Sequence, residues 1–435
     1  MPKKVIDASR RQFLQNSAGI VAASTVAGGL LSSSVYAGGD ETIKLALIGC
    51  GGRGSGACAQ ALSTSGPVKL VAVADAFEDN ARRSLENIKR EQPDRVDVAD
   101  DHIFFGFDAY QKALASDCDM VILATPPGFR PIHFEAAVKA GKNIFMEKPV
   151  STDAPGIRKV LAAAEEAKKK NLKVAVGLQR HHQGVYIDTV KRLQDGALGD
   201  IELLRVYWNG DRPWVRPRKP GQTEMEYQMR NWYYFIWLCG DHILEQHIHN
   251  IDVANWVMKG PPVRAQGQGG RQVHVGKDSG EIYDHHSVEF TYADGTTCMS
   301  MCRHMPGCWD QVSEFATGPK GTCHIGSGTI DFADKTNWRY REKDKNPYQV
   351  EHDDLFDAIR NNKDYNEAEY GATSTMTAIM GRMATYSGKV IDWDKALASE
   401  VSVMPQKFDF NADPPTMPDA NGNYPIPTPG VTKVL

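Results

Sequence analysis

Apolar positions along the chain follow two successive rhythms. Between Ile43 and Gly177, short apolar runs alternate with stretches of helical spacing. The runs fall at 43–48, 68–74, 104–107, 120–124, 143–146 and 174–177. The first of them, Ile43-Lys44-Leu45-Ala46-Leu47-Ile48, is almost unbroken, as a strand buried on both faces requires. Between the runs, 55–62, 80–90, 109–115, 133–140 and 153–170 predict helices. Strand and helix in alternation predict a parallel, doubly wound sheet. From residue 181 the strands become longer and stand closer together, at 201–208, 264–274, 286–292 and 297–303, with Asp294-Gly295 as a hairpin turn. This half predicts an open, largely antiparallel sheet with helices on one face. A helix over 372–387 can return to the first half, and 411–435, rich in Pro, Asn and Gly, predicts an extended tail lying on a surface.

The turn after the first strand converts this topology into a site. Gly49-Cys50-Gly51-Gly52-Arg53-Gly54 is a G-x-G-x-x-G turn that opens a helix. Gly49 allows the tight bend, Gly51 lets the backbone approach a pyrophosphate, and Gly54 lets the helix pack on the strand. The helix N-terminus, with Gly52 and Arg53 in it, offers N–H groups to phosphate. The second strand ends at Asp75, 21 residues after Gly54. A carboxylate there accepts hydrogen bonds from both ribose hydroxyls and repels a 2′-phosphate, which favours NAD over NADP. Thr125-Pro126 ends the fourth strand, on the edge where open parallel sheets bind ligands. The expected organisation is an α/β chain with a Rossmann dinucleotide domain over 38–180, a second α/β domain over 181–410 and the tail over 411–435.

The chain has 435 residues, 41% hydrophobic and 24% charged, with net charge −4 and no basic stripe, so nucleic acid is not an expected partner. The first 37 residues differ in kind. Lys3, Lys4, Arg10 and Arg11 precede a weakly apolar, small-residue stretch from Ala18 to Leu31, followed by Val35-Tyr36-Ala37. That is the plan of an export signal, too short for a stable membrane span. Ser9-Arg10-Arg11-Gln12-Phe13-Leu14 resembles the twin-arginine signature, the address for export of folded proteins. Cleavage after Ala37, a periplasmic or otherwise exported protein, and a cofactor loaded before export and tightly held are the expectations. Eight cysteines without a C-x-x-C pair are not a disulfide scaffold. Export would permit a bridge among Cys298, Cys302, Cys308 and Cys323, although reduced packing residues are the default.

Two groups carry candidate chemistry. Lys148, in Glu147-Lys148-Pro149 after the fifth strand, stands on the ligand edge, where a lysine can donate to a substrate hydroxyl or its developing oxyanion. The plain alternative is an ion pair of Glu147 with a basic neighbour. The second group is Asp241 to Asp252. On a single helix, His242, Glu245, His249 and Asp252 fall within about 80° of arc while His247 points away. Histidine suits proton abstraction from a hydroxyl near neutral pH. Zinc ligation and a structural polar network are rival readings, but the stretch matches neither H-E-x-x-H nor its inverse, so no metal is expected.

The order and spacing of Gly49-x-Gly51-x-x-Gly54, Asp75, Ala124-Thr125-Pro126, His133, Glu147-Lys148-Pro149 and Glu245-x-x-x-His249-x-x-Asp252 resembles the Gfo/Idh/MocA oxidoreductases. The resemblance implies a Rossmann domain followed by an open-sheet domain used for oligomerisation, here a homodimer or homotetramer. It also implies hydride transfer between a sugar or polyol and NAD(P), with Lys148 and His249 at the reacting carbon and Glu245 orienting. On the cofactor it places Gly49, Gly51, Gly52, Arg53, Gly54, Asp75, Thr125, Pro126, His133, Glu147 and Lys148. The family usually carries Asp where Glu245 stands and Gly where His247 stands, and the turn from Thr125 to His133 is longer than usual. Arg180, Trp208, Asp211 and Asp252 are candidates for the sugar, beside Arg212 and Trp214. The clusters Arg180-His181-His182 and Tyr283-Asp284-His285-His286 either line the cleft or cap strands.

Three functions follow in order. The first is an exported NAD(P)-dependent oxidoreductase of a sugar or sugar derivative. The second, known among relatives of this fold with a twin-arginine signal, is a glycosidase that oxidises the sugar transiently. The third is a non-catalytic nucleotide-binding protein of the envelope.

Overall fold

The computed structural model describes residues 41–435. The expected leader over 1–37 and its cleavage site lie outside the described residues.

The first sheet is parallel, with strands β1 (Ile43–Ile48), β2 (Val68–Asp75), β3 (Ile103–Phe105), β4 (Met120–Leu123), β5 (Asn143–Met146) and β6 (Val174–Val176). Their spatial order is β3-β2-β1-β4-β5-β6, the doubly wound order with its switch point between β1 and β4. Every residue of β1 except Lys44 is buried, because β2 and β4 flank it and helices cover both faces. Asp153, cap of the helix Ala154–Lys169, accepts from the Gly156 amide at 2.9 Å.

The second sheet has nine strands, adding β7 (Leu203–Gly210), β8 (Arg264–Gly270), β9 (His285–Thr291), β10 (Thr297–His304), β11 (Gln311–Gly318), β12 (Gly321–His324), β13 (Thr329–Phe332), β14 (Asn337–Arg339) and β15 (Ile391–Asp392). All neighbours are antiparallel except β7 with β10. The β9–β10 turn closes as expected at Asp294-Gly295, with Gly295 at φ +92°. The meander β11–β14 carried no strong alternation in the sequence and is found only here.

Two segments cross back to the first sheet. The helix Pro347–Arg360 places Leu355, Phe356 and Ile359 in the same core as Ile43, Leu45 and Leu47. Tyr365 and Glu367 then bond Val174 backbone groups at 3.0 and 2.9 Å, extending the edge beyond β6. The span 181–410 is therefore not all substrate domain; part of it completes the nucleotide domain. The helix Ala368–Ser387, buried along most of its length, packs against both Ala154–Lys169 and β8.

The tail over 411–435 has no helix or strand and is anchored: Tyr424 is buried with its hydroxyl on Glu224, and the Pro427 carbonyl accepts from Tyr283 at 2.8 Å. All eight cysteines are unbridged, and only Cys308 is exposed. Among the described residues no helix is long and apolar enough to cross a membrane.

Candidate active site

A cavity of about 710 Å³ opens at the carboxyl edge of the first sheet, along the switch point. Its floor is the glycine turn. Gly49 has φ +100°, and a Cβ there would stand 2.4 Å from the Ala124 backbone, so both conformation and space demand glycine. A Cβ on Gly54 would come within 1.9 Å of the Gly49 carbonyl, so the helix Gly52–Leu62 can lie on the strand only without one. At Gly51 and Gly52 a Cβ would meet nothing within 4 Å. That open cradle before a helix N-terminus fits a pyrophosphate.

Asp75 lines the same cavity, held by the Cys50 amide at 2.7 Å, the Phe77 amide at 2.9 Å and the Asn80 amide group at 3.3 Å. Burial raises its pKa, against these donors, which favour the carboxylate. Arg83, bonded to Asn80, lines the cavity too, leaving room for a 2′-phosphate beside the preference for NAD that Asp75 sets. The residues present fit a nicotinamide dinucleotide.

Thr125 and His133 share a hydrogen bond of 3.1 Å, and the His133 ring stacks on Tyr110 at 4.3 Å. Burial, and then Arg130, lowers His133 to about 3, so the ring is neutral. Arg130 was missed by the sequence reading. Its buried guanidinium donates to the carbonyls of Leu123 (2.6 Å), Thr125 (2.6 Å) and Glu147 (2.9 Å), tying the ends of β4 and β5 into one rigid edge. Burial lowers it only to about 10, so it keeps its charge. The Arg-Pro start of the helix Arg130–Lys139 was its only signal.

Arg53 and Glu147 both line the cavity but are engaged with each other, and Arg53 also reaches Glu351 at 3.0 Å. Lys148, next to a cis bond to Pro149, turns the other way. Its ammonium donates to the Glu245 backbone carbonyl and, at 3.0 Å, to the Glu245 carboxylate. Glu245 is pushed up by burial, and Lys148 opposes that shift.

The segment 241–258 is not one helix. It breaks into His242–Glu245 and Ile248–Met258 at Gln246 and His247, and the single-face arrangement is corrected accordingly. Glu245, Gln246 and His249 line the cavity beside Lys148 and Trp208. The His249 ring is stacked on Trp208, with centroids 5.8 Å apart. Burial, followed by the nearby Lys148 charge, pulls His249 well below the usual histidine pKa, so it is a neutral base. His242 turns into the interior, and His247 bonds Ser300 at 2.8 Å, away from the cavity as expected.

Of the sugar candidates Trp208 and Trp214 line the cavity, and Arg180, Asp211 and Asp252 do not. Arg180 is buried against Glu314 and Tyr186. Asp252 is held by His181 (2.8 Å) and Ser374 (2.7 Å), and Asp211 is exposed outside it. Both short clusters are structural: Asp284 accepts from the amides of Gln272, Val273 and His274, and His182 pairs with Asp354. The sequence reading also missed the wall facing the nucleotide turn. There Arg216, Met229, Arg230 and Trp232 line the cavity with Trp214. Arg230 bonds Asp79 at 3.1 and 3.3 Å and lies over the Phe77 ring at 3.9 Å, bridging the helix Glu224–Arg230 to the helix Glu78–Glu91. Phe410 packs on Phe107 (4.7 Å) and Phe77 (5.5 Å), so the C-terminal segment backs the lining at the same end.

Residues 43–177 match the oxidoreductase family with an NAD-binding Rossmann fold, and residues 187–322 match the C-terminal domain of the same family, together more than half of the chain. The chain belongs to the GFO/IDH/MocA family. Curated relatives of this GFO/IDH/MocA protein include an inositol 2-dehydrogenase of Rhizobium meliloti (strain 1021), 26% identical over 57% of this chain and 64% of that protein. Another is a scyllo-inositol 2-dehydrogenase (NADP(+)) of Bacillus subtilis (strain 168), 28% identical over 48% of this chain and 52% of that protein. The chain thus spans about half to two thirds of the length of these relatives. Similar in fold are the scyllo-inositol dehydrogenase of Lactobacillus casei with bound NAD(H) and scyllo-inositol (TM-score 0.61, 20% identity, covering 81% of this chain and 100% of that one). The aldose-aldose oxidoreductase of Caulobacter crescentus is comparable (TM-score 0.62, 16% identity, covering 81% and 100%).

Proposed function

We propose that this GFO/IDH/MocA protein is an exported oxidoreductase that moves a hydride between a carbinol carbon of a sugar, polyol or sugar derivative and a tightly held NAD. The observation that carries this reading is the meeting of Lys148, from the first sheet, with Glu245 and His249, from the second domain, in the cavity floored by the glycine turn. The nicotinamide, when bound, supplies the hydride acceptor. Lys148 holds the substrate oxygen through its Nζ, and Glu245 fixes the direction of that group. His249, kept neutral by burial and by the neighbouring cation, takes the hydroxyl proton as the carbonyl forms. Trp208 offers an apolar face to the ring. Retention is supported by the wall that Arg230 and Phe77 form at the nucleotide end, with Phe410 packed against Phe77.

The test has two arms. The purified protein is denatured and the released nucleotide identified by mass, with NAD expected. It is then offered polyols, aldoses and glycosides, with formation of reduced cofactor expected and its loss in Lys148→Ala. Free sugar released from a glycoside without accumulation of reduced cofactor would replace this reading by transient oxidation in a glycosidase. Turnover unchanged in folded Lys148→Ala and His249→Ala would leave only nucleotide binding. Export is tested by N-terminal sequencing of the envelope fraction, with a mature chain starting after Ala37. Light scattering on the purified protein tests the homodimer or homotetramer that the open second sheet suggests.

A further inference from the structure

Behind the active site, on the side of the second domain away from the cavity, four histidines and an aspartate gather in the interior. Asp241 and His242 open the short helix that ends at Glu245, His286 comes from β9 and His304 from the end of β10. His274, in the loop after β8, adds the fourth ring, 6.5 Å from that of His304. Asp241, His242 and His274 are completely buried, and His286 and His304 are 2% exposed.

Hydrogen bonding within the cluster is uneven in an informative way. Both nitrogens of His242 lack a partner, as do Nδ1 of His304 and Nδ1 of His274. A neutral imidazole carries a donor and an acceptor, so enclosing both without partners is costly. The other groups are tied from outside. His286 Nδ1 bonds Thr385 Oγ1 at 2.9 Å, which leaves its Nε2 facing Asp241 Oδ2 at 3.3 Å. The Asp241 carboxylate is oriented by the Tyr283 amide at 3.0 Å and the Tyr386 hydroxyl. A ligand ring whose far nitrogen is bonded to an outer hydroxyl, and a carboxylate braced by outer donors, is how side chains are held to a metal.

We propose that Asp241, His242 and His286 hold a divalent transition-metal ion, zinc by preference, and that the adjacent His304 turns in to complete the fourth position. The three side chains bring ligand atoms within 4.8 Å of one another. An ion at their centre needs each to close by less than ~1 Å to reach the ~2.0–2.2 Å of zinc bonds to nitrogen and oxygen. His242 Nε2 stands 3.9 Å from Asp241 Oδ1, and the His304 ring lies 4.5 Å from that of His242, with its unpaired Nδ1 available. An imidazole-rich set with one carboxylate selects zinc-type ions over magnesium or calcium. Among the described residues no other three His, Cys, Asp or Glu side chains converge in this way. His352 also has both nitrogens unpaired, but it stacks on Phe145 without a ligand set around it.

The site is closed to solvent, so its role is structural. It fastens β9 and β10 to the helix that ends in Glu245, and thereby steadies the carboxylate that orients Lys148. The experiment is elemental analysis of the full chain, produced with zinc in the medium and dialysed against chelator. About one zinc per chain is expected in the wild type and less than about a tenth of that in His286→Gln. A zinc-free wild type, or full zinc in folded His286→Gln, overturns the proposal. Should the variant fail to fold, anomalous scattering at the zinc edge from wild-type crystals decides. A peak among Asp241, His242 and His286 supports the site, and density without one overturns it.

Discussion

His242 and His249 stand on one short stretch of chain, both buried and both neutral through desolvation, yet they face different worlds. His249 lies against Trp208 in the nucleotide cavity, where the charge of Lys148 lowers its proton affinity further. His242 lies among His286 and His304, facing the second sheet. A helical wheel puts them on one face. The break at Gln246 and His247 turns them apart, so that one segment serves the reaction on one side and the interior on the other. Burial alone does not make a histidine a base; what its free nitrogen can reach does.

The largest expected effect tests that division directly. His249→Gln should lower kcat by about 10³-fold with the melting temperature almost unchanged. His242→Phe should cost about 2–4 kcal/mol of stability while its folded fraction turns over within about tenfold of wild type. Thermal scans with kinetics on both variants check this, and exchanged outcomes would erase the distinction.

Acid should weaken the interior and the cavity together. His274 and His304 are lowered to about 4, and His133, His247 and His352 to about 3, all by burial. Below the unfolded value of about 6.5 the unfolded chain binds protons that the folded one refuses, so stability falls as pH drops from there toward 4. Each such histidine contributes about 1.4 kcal/mol per pH unit. Glu281, raised to about 7 by burial, opposes this, and Asp75, Glu245 and Glu351, also raised by burial, act in the same direction. Urea titrations from pH 7 to pH 4 measure the slope, and a flat profile would show that the rings are already charged.

Asp75→Ser should narrow the preference for NAD over NADP by about 10–100-fold, the worth of hydrogen bonds to a charged group, as read from the two dissociation constants. The smallest effect is expected at the wall. Arg230→Ala removes a partly exposed ion pair with Asp79 and the cover on Phe77, and should speed nucleotide release about three- to tenfold in a stopped-flow chase.

How legible these parts were in the sequence follows the same division. The nucleotide floor is built from consecutive backbone, so the turn from Gly49 to Gly54, the strand before it and Asp75 could be read in place. Lys148 was legible because a strand end precedes it. The opposite wall takes Arg216 and Arg230 to the cavity, with Phe410 packed against Phe77 at the same end, and these residues share no local pattern. Arg180 and Asp252 looked like substrate ligands because the sequence showed their charge but not Glu314 or His181, the partners that satisfy them. The helix Pro347–Arg360 showed an amphipathic face without showing that Ile43 and Leu45 would receive it.

The placement of Phe408 and Phe410 has a consequence for the stiffness of the nucleotide end. They pack against Phe107 and Phe129, two rings that line the cavity, from a segment remote in sequence. Trimming either outer ring would leave a void behind that lining and loosen it without removing any group that a nucleotide could touch.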